Sequence, residues 1–567
     1  MKIKLAYKIA IITVIVLITG CSEDWLAEKP PHLITTASLY TSLSGFEAGL
    51  NGMYALVRQE REGSDANEST FAMGTPNQLR FELTATGTDN MVANRLGRFA
   101  DVSTYWKDIN SPQNIHITNQ FIWLYRVVNT ANTIINNAES NPDVDWKGGS
   151  STPEENKNRV IGEAKAIRAW AYRHLTYMWG DVPLSNQEAL GSTIRTDWTR
   201  TPRAEVNKQI MRDLLFAAIS VPVEPSVRGK ITRGAVQHYL AEMYLLLNKP
   251  DSALYWANQV INTPQYKLIT DRFGANKSKP GNIYSDMFLD VNANRDQGNT
   301  EALWVWQWAY GTPGGGRNIM RRWHGSEYGE LKVGSIKPLV YTVERGGRSQ
   351  ARYSFTKFAM DLYQPQDARG SYHIIRKFFI LNDAAANSPW GADRVPTGYK
   401  YGDTIWMHWD HDIVWKPGFV PTYDWPWSRK FDHTDPLNPV ASESNKDQPY
   451  LRLAETYLIK AEAEMKLNQP GNAANTINVL RQRANASLIS AGDVNLDFIL
   501  DERSRELINE EHRRYTLLRT HKWLERTRAH NFNGGQNIAE RDTLFPIPQV
   551  VIDANLTSPM PQNPGWN

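Results

Sequence analysis

The sequence predicts a mainly α-helical protein built from paired helices, with a large irregular insertion that carries short β-strands. Within 450–485, apolar and small residues recur at three- and four-residue steps, as on two amphipathic helices. The Asn-Gln-Pro-Gly stretch 468–471 separates them, because proline and glycine end a helix and permit a tight reversal. The Leu-Ala-Glu-x-Tyr-Leu pattern that begins at Leu453 also begins at Leu240, and each copy leads to an Asn-x-Pro turn.

These helical hairpins are typical of tetratricopeptide-like repeats, which bury a core only by stacking on their neighbours. Helical periodicity is lost over 61–112 and again over 271–449, where glycine and proline are frequent. We therefore expect an N-terminal helical region, 44–270, with the loop insertion 61–112. The Trp-rich insertion 271–449 follows, and then a C-terminal helical region, 450–567, that ends in an extended tail.

The N-terminus has the pattern of a bacterial lipoprotein signal. Three lysines precede an apolar run, Ile9–Thr19, that is too short to span a bilayer and ends in Gly20-Cys21. Cys21 is the only cysteine of the chain. We expect residues 1–20 to be a signal peptide, Cys21 to be the lipidated residue, and residues 21–43 to form a tether to the membrane.

The charge balance argues against nucleic acid or an anionic surface as the main partner. Sixty-three basic and 60 acidic residues give a formal net charge of +3. The predicted signal peptide contributes three lysines and no acidic residue, so the processed chain has a net charge near zero.

Aromatic residues are concentrated in the insertion 271–449, which contains ten of the 20 tryptophans. Residues 301–308 alternate as in a strand, and we expect Trp304 and Trp306 to pack a small sheet against the helices. Trp308 leads into the Gly-rich stretch 309–327, and five more tryptophans lie within Thr404–Trp427. Aromatic side chains on irregular loops suit sugar rings, while Arg, Asn and Asp bind the hydroxyl groups.

The charged segment 496–528 mixes apolar residues with many arginines and glutamates. Such a run is usually a solvated helix face with pairs between residues four apart, and we expect that arrangement here.

The sequence contains no motif that identifies an enzyme, a metal site or a cofactor site. The nucleophile-elbow, zinc-protease, Walker and dinucleotide-binding patterns are missing. The cluster 408–412 (His-Trp-Asp-His-Asp) and the acidic stretch 286–296 lack the spacing of zinc or calcium sites. His174 is interpreted as a packed core histidine. We therefore expect no cofactor, no metal and no catalytic residue.

Several segments in this order resemble the SusD/RagB family, the nutrient-binding surface lipoproteins of Bacteroidetes. The resemblance extends over nearly the full length and is carried by the lipidation site with Trp25-Leu26, the Phe46–Tyr54 helix, Tyr125–Ile135, Glu163–Pro183, Arg352–Arg369, Tyr450–Ala463, Leu507–Arg514, the Leu-Phe-Pro-Ile-Pro stretch 544–548 and Asn563–Gly565.

The resemblance implies a monomeric body of about four tetratricopeptide-like repeats that binds no cofactor and has no catalytic activity. Such a protein lies as a lid on a SusC-like TonB-dependent transporter, captures glycan fragments and delivers them to the barrel. Acidic residues after the cysteine, Glu23 and Asp24, resemble the family's surface-export signal. The protein would then be anchored by lipid in the outer membrane and face outward.

The family's binding residues do not transfer one by one, because its ligand loops vary most. Composition therefore selects the candidates, and for each of them packing in the core is the alternative interpretation. The candidate ligand-binding residues are Asp89, Asn90, Tyr105 and Trp106 in the first loop insertion, and Trp308, Arg321, Trp323 and Trp390 in the second.

Three alternatives stay open at this point. A family member could carry peptide or other non-sugar cargo. A surface glycoside hydrolase needs only two carboxylates placed by the fold, which requires no sequence motif. A repeat scaffold could bind only protein. The density of tryptophan favours a carbohydrate ligand.

Overall fold

The computed structural model describes residues 35–62, 81–93, 111–189, 195–312, 314–316, 318–382, 391–410, 423–435, 438–441 and 444–566. The predicted signal peptide, Cys21 and most of the tether and of the first loop insertion lie outside these residues. The helices are α1 Thr36–Leu39, α2 Leu43–Glu62, α3 Glu82–Ala85, α4 Ile115–Ser140, α5 Pro153–Trp179, α6 Arg203–Ser220, α7 Arg233–Leu246, α8 Pro250–Ile261, α9 Ile283–Met287, α10 Met320–His324, α11 Lys357–Asp361, α12 Leu453–Lys466, α13 Pro470–Arg483, α14 Leu496–Leu507, α15 Arg513–Arg519, α16 Trp523–His530 and α17 Gln549–Asp553.

The predicted helical hairpins are present and share one turn geometry. Helix α7 returns as α8, and α12 returns as α13. In the two turns Asn248 and Asn468 have positive φ, 52° and 57°. The residue after each asparagine donates its N–H to a carbonyl five residues back, with Lys249 bonding to Tyr244 and Gln469 to Glu464. This is the hydrogen bond that closes a Schellman-type helix end.

The hairpins stack directly on each other, as tetratricopeptide-like repeats do. Helices α4, α5, α6, α7 and α8 pack in succession, and α8 packs against α12. Small side chains let α7, α8 and α12 approach closely, and their shared contact is formed by Ala241, Leu245, Ala253, Ala257, Ile459 and Ala463. The mainly helical fold class is therefore confirmed.

We call the stacked helices α4 to α8 with α12 and α13 the helical layer, and helix α5 lies at its centre. Its start is fixed by Pro153 and by a capping box between Thr152 and Glu155. Every residue from 166 to 179 is buried, so its charged side chains need internal partners. Arg168 forms a bidentate pair with Asp213 in α6, at 2.8 Å for both bonds.

Short antiparallel ribbons occupy the described part of the second insertion, and one of them includes a strand of the first. The strands are β1 Met91–Ala93, β2 Ala302–Trp306, β3 Tyr353–Phe355, β4 Ile375–Arg376, β5 Phe378–Ile380, β6 Thr404–Trp406, β7 Trp427–Ser428 and β8 Gln448–Arg452. Strand β1 pairs with β3, β2 with β8, β4 with β7, and β5 with β6. Trp304 and Trp306 in β2 are buried, and Trp306 stacks on Tyr450 with 3.9 Å between ring centroids, so the packing predicted for them is confirmed.

The expectation of a solvated charged face over 496–528 is wrong. Glu506, Glu510 and Arg513 are buried. Their charges pair with partners from distant segments rather than with water. Arg369 and Lys430 of the second insertion pair with Glu506 and Glu510, and Asp89 of the first insertion pairs with Arg513. Sequence spacing shows which charges share a helix face but not what covers that face.

A buried ion network joins the insertion to the C-terminal helices. Arg452 at the end of β8 lies 2.7 Å from Glu301, 3.0 Å from Glu506 and 2.6 Å from Glu510. Arg483 bridges Glu301 at 2.5 Å and Glu506 at 2.7 Å. The buried ion network comprises Glu301, Arg369, Lys430, Arg452, Arg483, Glu502, Glu506 and Glu510.

Glu506→Gln is expected to destabilise the protein strongly, because it leaves three buried arginines with one carboxylate fewer. Breaking a buried ion pair costs about 3–5 kcal/mol in free energy of unfolding. Urea unfolding monitored by circular dichroism measures the change. The matched control is Asp197→Asn, which breaks a pair with Arg195 in which both side chains are more than half exposed. That control should leave the free energy of unfolding nearly unchanged, because water screens an exposed pair, and equal losses in both variants would contradict the assigned role of the network.

Candidate glycan-binding surface

The ribbon of β5 and β6 has one buried face and one outer face. Along β6 and the two residues after it, Ile405 and Met407 are buried while Trp406 and His408 are exposed. Alternation of this kind follows from the two-residue period of a strand. The inner side chains pack with Tyr328, Leu331, Leu339, Phe379, Leu381 and Trp427 in a small hydrophobic cluster.

Three aromatic rings form a continuous row on the outer side of this ribbon. Phe378 lies directly opposite Trp406 in the strand register. Their ring centroids are 4.9 Å apart, and Phe378 stacks on Tyr372 at 4.4 Å. Trp406 is 54% exposed, although indole rings are usually well buried. We call Tyr372, Phe378 and Trp406 the aromatic row.

Charged groups lie beside one end of the aromatic row. The guanidinium carbon of Arg429 is 5.0 Å from the centre of the Tyr372 ring, and its side chain is 21% exposed. Asp432 holds this guanidinium at 3.0 Å and also binds Arg376, which lies 5.4 Å from the same ring. Arg429 therefore offers fixed N–H donors next to an aromatic face.

A second polar group follows the end of β6. The backbone N–H of His408 donates to Asp424 at 2.9 Å, and its Nδ1 lies 2.8 Å from the same carboxylate. Trp409 donates its indole N–H to Asp361 at 3.4 Å. These contacts hold polar side chains in place near the exposed strand end.

The predicted candidates in the first loop insertion that the structure describes are buried. Asp89 is 0% exposed and binds Arg513 through both oxygens, at 2.8 and 2.7 Å, and Arg526 at 2.7 Å. Asn90 accepts a hydrogen bond from the Ser504 hydroxyl at 2.8 Å. Burial alone would raise the pKa of Asp89, but the charges and hydrogen bonds of Arg513 and Arg526 lower it to about 2. These contacts fasten the loop to α14, α15 and α16.

The described candidates in the second insertion are also at most 5% exposed. Trp308 packs beside Trp306, and its backbone N–H donates to Asp447 at 3.0 Å. Arg321 donates to the carbonyls of Arg348 and Ala441. Trp323 is covered by Arg352, whose guanidinium carbon is 3.1 Å from the ring centre. Burial favours the packing interpretation of these residues, and their contact with ligand stays a prediction.

Three other candidates, Tyr105, Trp106 and Trp390, lie outside the described residues. Trp406 was not among the candidates, although the sequence did contain a signal for it. In 404–408 (Thr-Ile-Trp-Met-His) the aliphatic residues alternate with Trp and His, which puts Trp406 on the face opposite Ile405 and Met407.

The two metal-like clusters discussed above have internal partners where the structure describes them. Asp286 pairs with Arg272 at 2.5 Å, and Asn292 accepts the Ala275 N–H at 3.0 Å. His408 is held by Asp424, whereas His411 and Asp412 lie outside the described residues.

Comparison with known proteins agrees with this architecture. Residues 301–566 match the model of the SusD family, and residues 24–245 match a second model, described as starch-binding and associating with the outer membrane. The chain belongs to the SusD/RagB family. The SusD-like protein P25 of Formosa agariphila is 26% identical over 534 residues, which cover 90% of this chain and 89% of that relative. The starch-binding protein SusD of Bacteroides thetaiotaomicron is 37% identical over 131 residues, 22% of this chain and 23% of that one.

Solved structures of SusD-like proteins share the fold. A SusD homolog from Bacteroides thetaiotaomicron superposes with a TM-score of 0.69 at 18% identity, covering 94% of this chain and 98% of its own. A laminarin-binding SusD-like protein superposes with a TM-score of 0.60 at 21% identity, covering 92% and 99%. Among the described residues of our chain, no helix combines the length and the apolar character needed to cross a bilayer.

Asp89→Asn is expected to weaken the fold and to change its acid sensitivity. A carboxylate whose folded pKa is below its unfolded value stabilises the fold above the unfolded pKa, here 3.8, and this contribution is lost as the pH falls towards about 2. The depressed pKa corresponds to about 2 to 3 kcal/mol of stability. Urea unfolding measured between pH 5 and 2 should show a smaller loss of stability per pH unit in the variant. An unchanged pH slope would contradict the structural role of Asp89.

Proposed function

We propose that this protein is a cell-surface lipoprotein that binds glycan and delivers it to a SusC-like TonB-dependent transporter. The observation that carries the proposal is the aromatic row on the outer face of the β5–β6 ribbon. Trp406 is exposed, Tyr372 and Phe378 beside it are half-buried, and none of the three belongs to a hydrophobic cluster of the described core. Aromatic surface of this kind is typical of a binding surface. It supports a ligand with flat apolar faces, and sugar rings have such faces.

The chemistry of the surface supports an oligosaccharide more than a small apolar ligand. Aromatic rings bind the C–H faces of pyranose rings, and the neighbouring polar groups bind hydroxyls. Arg429 provides donors at one end of the aromatic row, and the backs of both strands are packed against the cluster around Tyr328. A surface held in place before binding loses little conformational entropy when the ligand arrives. Relatives named for binding starch and laminarin support the same ligand class.

Delivery would depend on anchoring rather than on high affinity. Lipidation of Cys21 would hold the protein at the outer membrane, facing outward, and the tether 21–43 would permit a hinge motion. A lid held above a transporter presents its ligand at a high effective concentration, so modest affinity is enough. In this scheme the protein binds glycan without cleaving it, and no cofactor takes part.

Trp406→Ala is expected to weaken glycan binding by about 30-fold, since truncation of a central aromatic contact costs about 2 kcal/mol. Phe378→Ala should act in the same direction. The control is Tyr255→Ala, because Tyr255 is 56% exposed on helix α8, in the helical layer. Isothermal titration of the processed protein against a panel of oligosaccharides and polysaccharides measures the effect.

The results of the same binding panel distinguish the proposed function from the three alternative functions. Release of reducing sugar during the incubation would overturn the binding-only function and favour a glycoside hydrolase. Binding of peptides but of no glycan would keep the family assignment and change the cargo. If no ligand binds, a protein-binding scaffold is favoured. Equal affinities of Trp406→Ala and the unsubstituted protein would exclude the aromatic row as the site.

Cys21→Ser is expected to release the protein from the outer membrane and to abolish its isolation together with a TonB-dependent transporter. The reason is that the acyl chains supply the anchoring and hold both proteins in one membrane. Membrane fractionation followed by affinity purification of the tagged protein, and mass spectrometry of what accompanies it, checks this. Persistence of the variant in the membrane would exclude lipid anchoring at this residue.

A further inference from the structure

Three side chains with metal-ligating atoms meet inside the helical layer, at a place that the proposed function does not use. They are Glu60 near the end of α2, His174 in α5 and His512 directly before α15. Their ligand atoms all lie within 4.8 Å of one another. We call these residues the Glu–His–His cluster. Glu60 and His174 are each 1% exposed.

The carboxylate of Glu60 lacks the partners that a buried charge requires. Neither of its oxygens has a well-aligned hydrogen bond among the described residues, although the Tyr450 hydroxyl is a nearby donor. Its neighbour Arg61 directs its guanidinium to Gln448 at 3.2 Å and to the Glu510 carbonyl at 3.4 Å. A buried carboxylate with so few donors costs several kcal/mol, so this position needs either a proton or a metal cation.

The hydrogen bonds around His512 assign its tautomer. The Thr84 hydroxyl lies 2.8 Å from the Phe81 carbonyl and donates its single hydrogen to it. The Thr84 oxygen therefore accepts from Nδ1 of His512, 2.6 Å away. A neutral ring with its hydrogen on Nδ1 presents a lone pair at Nε2.

That lone pair faces another acceptor. Nε2 of His512 is 3.0 Å from an oxygen of Glu60 and 2.9 Å from the Tyr450 hydroxyl. The one hydrogen of Tyr450 cannot serve both the nitrogen and the carboxylate. Two acceptors 3.0 Å apart in the interior repel each other unless a proton or a metal cation lies between them.

His174 resembles His512 in that one of its ring nitrogens lies at a hydroxyl group and the other is left for a ligand. Its Nδ1 lies 2.7 Å from the Tyr515 hydroxyl, while its Nε2 is buried and has no hydrogen-bond partner among the described residues. Metal-ligating histidines are commonly held in this way, with one ring nitrogen bonded to an oxygen and the other bound to the ion.

We propose that Glu60, His174 and His512 bind one divalent transition-metal ion, Zn²⁺ by its ligand chemistry. Two imidazoles and one carboxylate are an established ligand set for this ion. The Tyr450 hydroxyl lies beside them, 2.9 Å from Nε2 of His512. Because the three ligands come from segments far apart in the sequence, the ion would fasten α2, α5 and the turn before α15 together. Its role is structural, and it is independent of glycan binding at the aromatic row.

The test is metal analysis of the full-length protein produced in zinc-supplemented medium and purified without chelator. We expect one Zn²⁺ per chain. Refolding in Co²⁺ should give the visible absorption of a low-symmetry nitrogen and oxygen site. The variants Glu60→Gln and His174→Gln should retain less than about one tenth of an equivalent, because structural zinc needs all of its ligands. Metal should also raise the melting temperature of the unsubstituted protein, and the rise should saturate at one equivalent.

The matched control is His238→Gln, which changes another buried histidine, bonded to Thr456 at 2.9 Å and outside the cluster. It should keep its full equivalent of metal. A metal-free unsubstituted protein without a Co²⁺ spectrum would overturn the proposal and leave a proton shared by Glu60 and His512 instead. Full metal content in Glu60→Gln would overturn it as well. If that variant does not fold, the metal content and the spectrum of the unsubstituted protein still decide.

Discussion

Arg452 lies where three carboxylates meet inside the protein, and the surrounding architecture depends on that junction. Glu301 comes from the border of the second insertion, Glu506 from helix α14 and Glu510 from the turn after it. Each of these charges would be costly to bury alone, and their attraction offsets the desolvation only when all partners are present. Pairing of β2 with β8, the position of α14 and the path of the insertion are therefore coupled. A displacement of any one of them leaves a buried charge unpaired.

The demands of packing and charge pairing in the interior also explain why few of the described tryptophans are accessible to a ligand. Most of the described tryptophans are buried, as Trp304, Trp306 and Trp323 are. Arginines lie over several of these rings, and the cation–π contacts stabilise guanidinium groups away from water. The aromatic row differs because only the inner face of its ribbon is packed. Its rings are held by a rigid backing and remain open on the other side.

The helical layer and the insertion thus have separate physical tasks. Stacked hairpins with alanine at the α8–α12 contact form a stiff body, and the insertion carries a surface for recognition. The Glu–His–His cluster lies within the stiff body, beneath Tyr450 and close to Arg61. A metal ion there would add a further cross-link between segments already joined by ion pairs. Mutations at the aromatic row should then change ligand binding without affecting the cluster, and mutations in the cluster should change the cross-link without affecting the aromatic row.

Local features could be predicted from residue order, because they depend on neighbours in the chain. The helical hairpins, the Asn-x-Pro turns and the strand at Ala302–Trp306 are of this kind, and so is the series of motifs that indicates the family. What covers a residue depends on distant segments, and this was decided only by the tertiary structure. Asp89 is therefore an internal partner of Arg513, Glu506 and Glu510 of the charged run are buried, and Trp406 rather than Trp323 faces outward. Glu60, His174 and His512 converge for the same reason, since no spacing in the sequence relates three segments brought together by packing.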